Sequence, residues 1–363
     1  MTIGCLVLGI LLAGALAAAD EVAINAFDRQ GNLSFYTVTN TVSCRVEWST
    51  NLPGATWSTA APPGVAEFPV AGSGTRSVTV GVQQAVIFYR VVAKTAGDNL
   101  PPLWNASPPT GVSPAPSGPL VGVPGEFDTG ILATNEVWDN FIGAVGSDPD
   151  ARLWLEDTIN QGGTQVYDPA RSFLDGNGNA VFEAIQSGGT IYSGRFTSRT
   201  KFNMQYGWCA ARIKFPKAGR AWFPAFWLLF VGFNTGNPYG EIDMMEFFGD
   251  TQKYSTHVFF GQDPYLMSEK AVPDSHSGGN AGDGFHTYWM QWEPDRIWIG
   301  VDDLVIGDWN PDSVPAGHWD HMRQPFYFIA NFAVAPSWLP PPEPGDFPAR
   351  MLIDWIWYKP LTR

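Results

Sequence analysis

Short strand-like segments separated by glycine- and proline-rich turns make up most of the chain, and from residue 127 onward no segment of about 12 residues carries the 3.6-residue hydrophobic repeat of an amphipathic helix. The sequence contains 39 Gly and 30 Pro, whereas charged residues make up only 15%. This balance predicts an all-β chain. From residue 127 onward the strand-like segments are 181–185, 207–215, 226–231, 242–248, 255–260, 287–293, 297–301, 326–333 and 351–358. This large number of strands predicts two antiparallel sheets packed face to face, which form a β-jelly-roll sandwich.

A proline-rich stretch divides the chain into two parts. Residues 98–125 cannot form a helix, which predicts an extended, semi-rigid linker. Residues 20–97 contain several strand-like segments and predict a small β-sandwich-like accessory domain. This domain has no paired carboxylates and no metal-spaced histidines, which favours a spacer or interaction module over a carbohydrate-binding role. The jelly-roll domain then occupies residues 126–363.

The first residues predict export. An apolar run over 5–16 is followed by Ala17-Ala18-Ala19, a small-residue cleavage site before Asp20. The run is shorter than the ~20 residues that span a bilayer. We therefore expect a signal peptide at residues 1–19 and a secreted protein, extracellular or periplasmic, with no membrane association after signal removal. An uncleaved anchor is the alternative, because no Lys or Arg precedes the run.

The charge balance excludes one class of partner and favours another. The formal net charge is −14, with only 21 Lys plus Arg. Such a chain repels polyanions, so we expect no nucleic-acid partner. Sulfated and uronic polysaccharides are disfavoured for the same reason. The 16 Trp suit a neutral polysaccharide, because a flat indole ring matches the C–H face of a pyranose.

The most informative stretch is the strand-like segment 240–248. Side chains alternate faces along a strand, so Glu241 and Asp243 share one face. Strict alternation would place Glu246 on the other face with Ile242 and Met244, where an ionised carboxylate costs several kcal/mol. A β-bulge at 244–245 would restore parity and bring Glu246 onto the face of the other two acids.

Three carboxylates on one face of one strand raise one another's pKa, so at least one is expected to keep a proton near neutral pH. Glycoside cleavage needs this arrangement, with an ionised carboxylate beside a protonated one. A calcium site and a solvent-facing acidic edge are the alternatives. The apolar residues between the acids favour catalysis. The residues alone leave open whether the anomeric configuration is retained or inverted.

The segment Glu241-Ile242-Asp243-Met244-Met245-Glu246 resembles the Glu-x-Asp-x-x-Glu signature of glycoside hydrolase family 16, in its bulged branch of laminarinases, agarases and carrageenases. The resemblance extends in order over roughly residues 130–360. The further segments that carry it are Tyr192-Ser193-Gly194-Arg195, 206–216, Trp222-Phe223-Pro224-Ala225-Phe226-Trp227, 285–302, Asn331-Phe332-Ala333-Val334 and 347–354.

The resemblance implies a concanavalin A-like jelly roll with a substrate cleft on its concave sheet and retaining double displacement. It assigns Glu241 as the nucleophile, Asp243 as its assistant and Glu246 as the acid/base. Catalysis in this family requires no cofactor, although some members bind a structural calcium, for which Asp354 stands at the matching position. The expected substrate-binding residues are Trp222, Trp227, His257 and Trp338.

These observations together predict a monomeric endo-acting glycosidase for a neutral β-linked polysaccharide, with β-1,3-glucan as the best substrate. A hydrolase of β-galactans such as agarose, porphyran or carrageenan remains an alternative. A non-catalytic glycan-binding protein of the same fold is a second alternative, and the presence of all three carboxylates counts against it.

Overall fold

The computed structural model describes residues 108–361, apart from 123–128, 161, 217–218, 233–238, 250–253, 262–265, 272–283 and 303, together with the strands of the first hundred residues. The chain divides into two compact units, residues 1–103 and 104–363. The predicted signal peptide at 1–19 and the first ten residues of the predicted linker lie outside the described residues.

The described residues of the first unit form β-strands almost throughout. Three of them, in the order β1-β2-β5, form one sheet, and the order β4-β3-β6 forms a second. Leu33 and Val46 are buried within this unit. The strands are β1 (Ala23–Phe27), β2 (Asn32–Thr37), β3 (Thr41–Ser49), β4 (Val65–Pro69), β5 (Gly74–Thr79) and β6 (Phe88–Thr95).

The second unit contains the remaining strands: β7 (Leu120–Val121), β8 (Gly130–Leu132), β9 (Val137–Asp139), β10 (Leu155–Glu156), β11 (Val166–Tyr167), β12 (Ser172–Leu174), β13 (Ala180–Ser187), β14 (Thr190–Ser193), β15 (Arg195–Thr197), β16 (Phe202–Asn203), β17 (Gly207–Lys214), β18 (Trp222–Phe230), β19 (Tyr239–Phe247), β20 (Tyr254–Gly261), β21 (Leu266–Ala271), β22 (His286–Glu293), β23 (Arg296–Val301), β24 (Leu304–Trp309), β25 (Phe326–Val334) and β26 (Ala349–Pro360). Short 3₁₀ turns occupy Pro169–Arg171, Pro311–Ser313, Trp319–Arg323 and Pro344–Asp346. Within the part of the chain that the structure describes, no helix is long and apolar enough to cross a membrane.

Two large sheets make the sandwich, as the strand pattern predicts. The seven-stranded sheet has the order β10-β15-β25-β18-β19-β20-β21. The ten-stranded sheet has the order β11-β14-β13-β26-β17-β22-β23-β24, with β12 and β9 paired at its side. The all-β jelly-roll prediction is confirmed.

Alternation along the strands supplies the core between the sheets. On β19, Ile242 and Phe247 are fully buried, and on β17, Cys209 and Ile213 are fully buried. All four belong to one hydrophobic cluster that draws on both sheets. Burying such side chains contributes about 1.5–3 kcal/mol each. The opposite face of β19 is thereby left to the carboxylates.

A second hydrophobic cluster lies on the outer face of the ten-stranded sheet. It consists of Ala210 with the tryptophans Trp289, Trp298, Trp355 and Trp357, and Trp138 and Trp208 pack against it. Much of the high tryptophan content is therefore structural and lies on the sheet that does not carry the carboxylates.

Candidate active site

The bulge expected from the parity of the carboxylates is present in β19. Across the pair with β18, Asp243 lies opposite Trp227 and Met245 lies opposite Phe226, so Met244 is the extra residue. The pair with β20 shows the same interruption between Asp243 and Glu246. Met244 and Met245 are both fully buried. The bulge therefore returns Glu246 to the outer face that carries Glu241 and Asp243.

Each of the three carboxylates stands between one residue of β18 and one residue of β20. The flanking pairs are Leu229 and Phe259 for Glu241, Trp227 and His257 for Asp243, and Ala225 and Ser255 for Glu246. The environment thus changes along the strand. Glu241 has apolar neighbours on both sides, whereas Asp243 has a histidine beside it.

His257 is the cationic partner of the carboxylates. Its Nδ1 lies 2.8 Å from Glu246 Oε2 and 3.5 Å from Asp243 Oδ2, and its Nε2 lies 3.1 Å from Ser255 Oγ. Burial disfavours the imidazolium, but Asp243 and Glu246 outweigh burial and raise the pKa of His257 to about 10. The ring is only 3% exposed. The polar atoms of His257 thus face the acids, and its role in binding substrate stays a prediction.

The acids themselves resist full ionisation. Burial, followed by the charge of Glu246, raises the pKa of Asp243 to about 7, although His257 opposes the shift. Burial, followed by the charge of Asp243, raises the pKa of Glu241 well above its usual value, and a hydrogen bond from Tyr239 opposes that shift. Asp243 and Glu241 are also hydrogen-bonded to each other. Near neutral pH this pair can share a proton and keep one negative charge.

Among the described residues, one group of three side chains could hold a metal ion, namely Asp243, Glu246 and His257, whose ligand atoms lie within 4.8 Å of one another. A histidine ligand must be neutral to offer its lone pair. Because the pKa of His257 is raised to about 10, its proton competes with any metal near neutral pH. The group is better suited to holding protons.

Asp354, the residue expected to contact a structural calcium, forms an ion pair with an arginine. Asp354 Oδ2 forms an ion pair with Arg212 Nη1 at 2.5 Å. A guanidinium in this position competes with a cation, and calcium requires six to eight oxygen ligands. Calcium binding at Asp354 stays a prediction, and the carboxylate is paired with Arg212 in this structure.

Trp222, expected to bind substrate, lies in the core. Its side chain is 2% exposed and packs edge-on against Phe332 and Phe347. The reason is alternation, since the neighbouring Phe223 takes the outer face. Alternation along β18 is the sequence signal for this burial, whereas the match to the family segment concerns only the residue type.

Three aromatic rings form a group on the outer face beyond Glu246, which we call the aromatic platform: Phe223, Phe248 and Trp338. Phe223 stacks on Phe248 with ring centroids 5.6 Å apart. Trp338 meets Phe223 edge-on at 4.8 Å and lies 5.5 Å from Phe248. Trp338 remains 54% exposed. The platform therefore presents an indole to solvent beside the carboxylates.

Trp227 shares the outer face with the carboxylates and belongs to a polar network. Its Nε1 donates to Asn331 Oδ1 at 2.7 Å. The Arg195 guanidinium lies 5.8 Å from the Trp227 ring and forms a buried ion pair with Asp157. Arg195 and Asn331 are directly opposite each other in the sheet. This row extends the polar surface away from β19.

A β-sandwich whose outer face gathers several carboxylates, two of which can share a proton, beside an exposed tryptophan has the arrangement of a glycosidase that acts on polysaccharides. Residues 165–356 match the sequence model of glycosyl hydrolases family 16, and the chain belongs to that family.

Its relatives include a protein named beta-glucanase from Rhodothermus marinus, 29% identical over 251 residues, which span 64% of this chain and 82% of that protein. Among solved structures, the laminarinase from the same organism is 26% identical with a TM-score of 0.54, covering 62% of this chain and 96% of that one. The laminarinase from Flavobacterium sp. UMI-01 is 26% identical with a TM-score of 0.52, covering 61% and 98%.

Proposed function

We propose that this glycosidase is a retaining endo-β-1,3-glucanase. The observation that carries the proposal is the bulged strand, which places Glu241, Asp243 and Glu246 on one outer face beside His257. Membership of glycosyl hydrolases family 16 and the resemblance to proteins named beta-glucanase and laminarinase support the reaction and the substrate class.

In this proposal the reaction proceeds in two displacements. Glu241 attacks the anomeric carbon while Glu246 gives its proton to the departing glycosidic oxygen, and a glycosyl-enzyme ester forms. Water then attacks the same carbon, Glu246 takes the water proton, and the electron pair of the ester bond returns to Glu241. Asp243, hydrogen-bonded to Glu241, adjusts the charge of the nucleophile during both steps.

The substrate classes left open by the sequence are separated by one assay. Release of reducing ends is measured with laminarin, mixed-linkage glucan, agarose, porphyran and carrageenan. The proposal expects laminarin to be cleaved fastest and NMR to show the new reducing end first in the β configuration. Preferential cleavage of a galactan would show that the substrate is a galactan and not a β-1,3-glucan. An initial α anomer would show an inverting mechanism. Glycan binding without cleavage would favour a non-catalytic protein.

We assign the aromatic platform and Trp227 to substrate binding, with Trp338 as the accessible ring. Replacing Trp338 with alanine is expected to raise KM about 3- to 10-fold, because an aromatic contact contributes about 0.5–1.5 kcal/mol beyond its buried area. The value of kcat should change little. The matched control is Trp208→Ala, a partly exposed tryptophan on the other sheet. Equal KM values for both variants would remove Trp338 from the binding surface.

The secreted state belongs to the same proposal. The apolar run at 5–16 and the alanines before Asp20 support cleavage after residue 19. A monomer acting outside the cell on a polymer is consistent with the strongly negative net charge of −14. N-terminal sequencing of the exported protein and its mass in solution check both statements.

A further inference from the structure

The side chain of Tyr239 reaches the proposed nucleophile along the same strand. Tyr239 and Glu241 are two residues apart on β19, so they share the outer face. The Tyr239 hydroxyl donates a hydrogen bond to Glu241 Oε2. Directly across the pair with β20, Tyr239 faces Gly261, which has no side chain to obstruct the ring. The phenol can therefore lie along the strand toward the carboxylate.

The backbone around Tyr239 is held by the 3₁₀ turn Trp319–Arg323. His321 Nδ1 accepts from Gly261 N at 2.8 Å and lies 2.9 Å from Tyr239 O. A Cβ on Gly240 would come within 2.8 Å of His321 O, so only glycine permits this approach. The Tyr239 ring also meets Phe230 edge-on at 5.8 Å. These contacts fix the position of the Tyr239 backbone and the orientation of its ring.

The carboxylate that Tyr239 contacts has few polar neighbours. Leu229 and Phe259 flank Glu241 on the adjacent strands. The titratable and charged groups that act on Glu241 are Asp243 and Glu246 on its own strand, His257 on β20 and the Tyr239 phenol. In the apolar gap between Leu229 and Phe259, the phenol is the donor that stabilises a negative charge at close range.

We propose that Tyr239 is a positioning residue whose hydroxyl holds Glu241 and stabilises its charge when the glycosyl-enzyme ester breaks. This inference rests on the proposed double displacement. In the first step Glu241 loses charge as its oxygen bonds to the anomeric carbon, so the hydrogen bond weakens toward the transition state. In the second step the electron pair returns to Glu241, so the hydrogen bond strengthens. Tyr239 thus accelerates the second step specifically.

Tyr239→Phe tests the hydroxyl alone, because the ring is retained. With laminarin we expect kcat to fall about tenfold, the scale of one hydrogen bond to a charged group. At a pH where Glu241 is ionised, kcat/KM should change less than about threefold, because it reports only the first displacement. KM should therefore fall with kcat. An aryl β-glucoside oligomer with a good leaving group should give a burst of aryl alcohol.

The pH profile gives a second readout of the hydroxyl. Without the phenol donor the ionised form of Glu241 is less stable, so the acid limb of kcat/KM moves to higher pH. Placing 3-fluorotyrosine at position 239 strengthens the donor and should move the acid limb the other way. This replacement also covers the case in which Tyr239→Phe does not fold.

Tyr288→Phe is the matched control, since the Tyr288 hydroxyl is buried on the other sheet and has no hydrogen-bond partner among the described residues. Its kinetics should equal those of the wild type. Wild-type kinetics in Tyr239→Phe, or equal losses of kcat and kcat/KM with an unmoved acid limb, would overturn the inference. A wild-type protein that cleaves no β-glycan would instead overturn the proposed function.

Discussion

Replacing Glu241 with alanine is expected to lower the rate of glucan cleavage by about 10⁴-fold or more, the scale of losing a nucleophile. The reason is that no ester can form without the Glu241 carboxylate, while Glu246 alone cannot split the reaction into two steps. Azide enters the space that the carboxylate vacates. With an aryl β-glucoside oligomer, azide should restore product release and give the α-glycosyl azide, identified by NMR.

Glu246→Ala is the matched variant for this experiment. There the ester still forms from a substrate with a good leaving group, and azide attacks it to give the β-glycosyl azide. Opposite anomers from the two variants separate nucleophile from acid/base. A β-azide from Glu241→Ala would reverse the assignments, and wild-type cleavage of laminarin by that variant would remove Glu241 from the reaction.

The fold of the Glu241 variant serves as an internal check. The pKa of Glu241 is raised in the folded protein, so its ionisation costs stability as pH rises from its ordinary value through the folded pKa. Removing the carboxylate removes this cost. The Tm of Glu241→Gln, which keeps the side-chain volume, should therefore not fall near neutral pH. Lost activity with an unchanged or higher Tm identifies a functional carboxylate.

Parity along a strand explains which parts of the site could be predicted from sequence. Alternation is a property of a single strand and needs no knowledge of its neighbours. The local order of residues therefore predicts that Glu241 and Asp243 share a face, and that a bulge must precede Glu246. The same rule correctly separates Phe223 from Trp222 once Pro224 is placed in β18. Trp222 was matched to the family by residue type alone, and its ring lies on the core face.

Contacts between strands distant in sequence could not be predicted in this way. His257 meets Glu246 through the register between β19 and β20, and Arg212 meets Asp354 through the register between β17 and β26. One sequence contains no information on either register beyond hydrophobic alternation, which many alignments satisfy. The burial of His257 and the ion pair that occupies Asp354 are both consequences of these registers.

The pH dependence of cleavage provides the other large expected effect, through His257. His257→Asn can keep a donor near the position of Nδ1 but removes the positive charge. That charge lowers the pKa of both Asp243 and Glu241. Without the positive charge of His257, the pKa values of both carboxyl groups rise further. Because the nucleophile must be ionised, the acid limb of kcat/KM should move to higher pH by about 1–3 units, the usual effect of one close charge.

Three measurements separate this charge effect from loss of structure. His286→Asn, a change in a histidine on the ten-stranded sheet where its Nδ1 contacts Asp302, should keep the wild-type profile. His257→Leu, which removes donor and charge together, should lose activity across the whole pH range. The near-ultraviolet circular dichroism spectrum of His257→Asn should match that of the wild type. An unmoved acid limb in His257→Asn would show that His257 does not set the ionisation of the acids.

The protonation of His257 should also make the stability of the fold depend on pH in a defined direction. The folded pKa of His257, about 10, lies above its unfolded value, so the protonated ring stabilises the fold fully below the unfolded value of about 6.5 and loses this effect as pH rises toward 10. The Tm difference between wild type and His257→Asn should therefore be largest in mildly acidic solution and close toward pH 10. Because one charge governs both quantities, the acid-limb shift and the Tm difference must appear together, and either alone would assign His257 a different role.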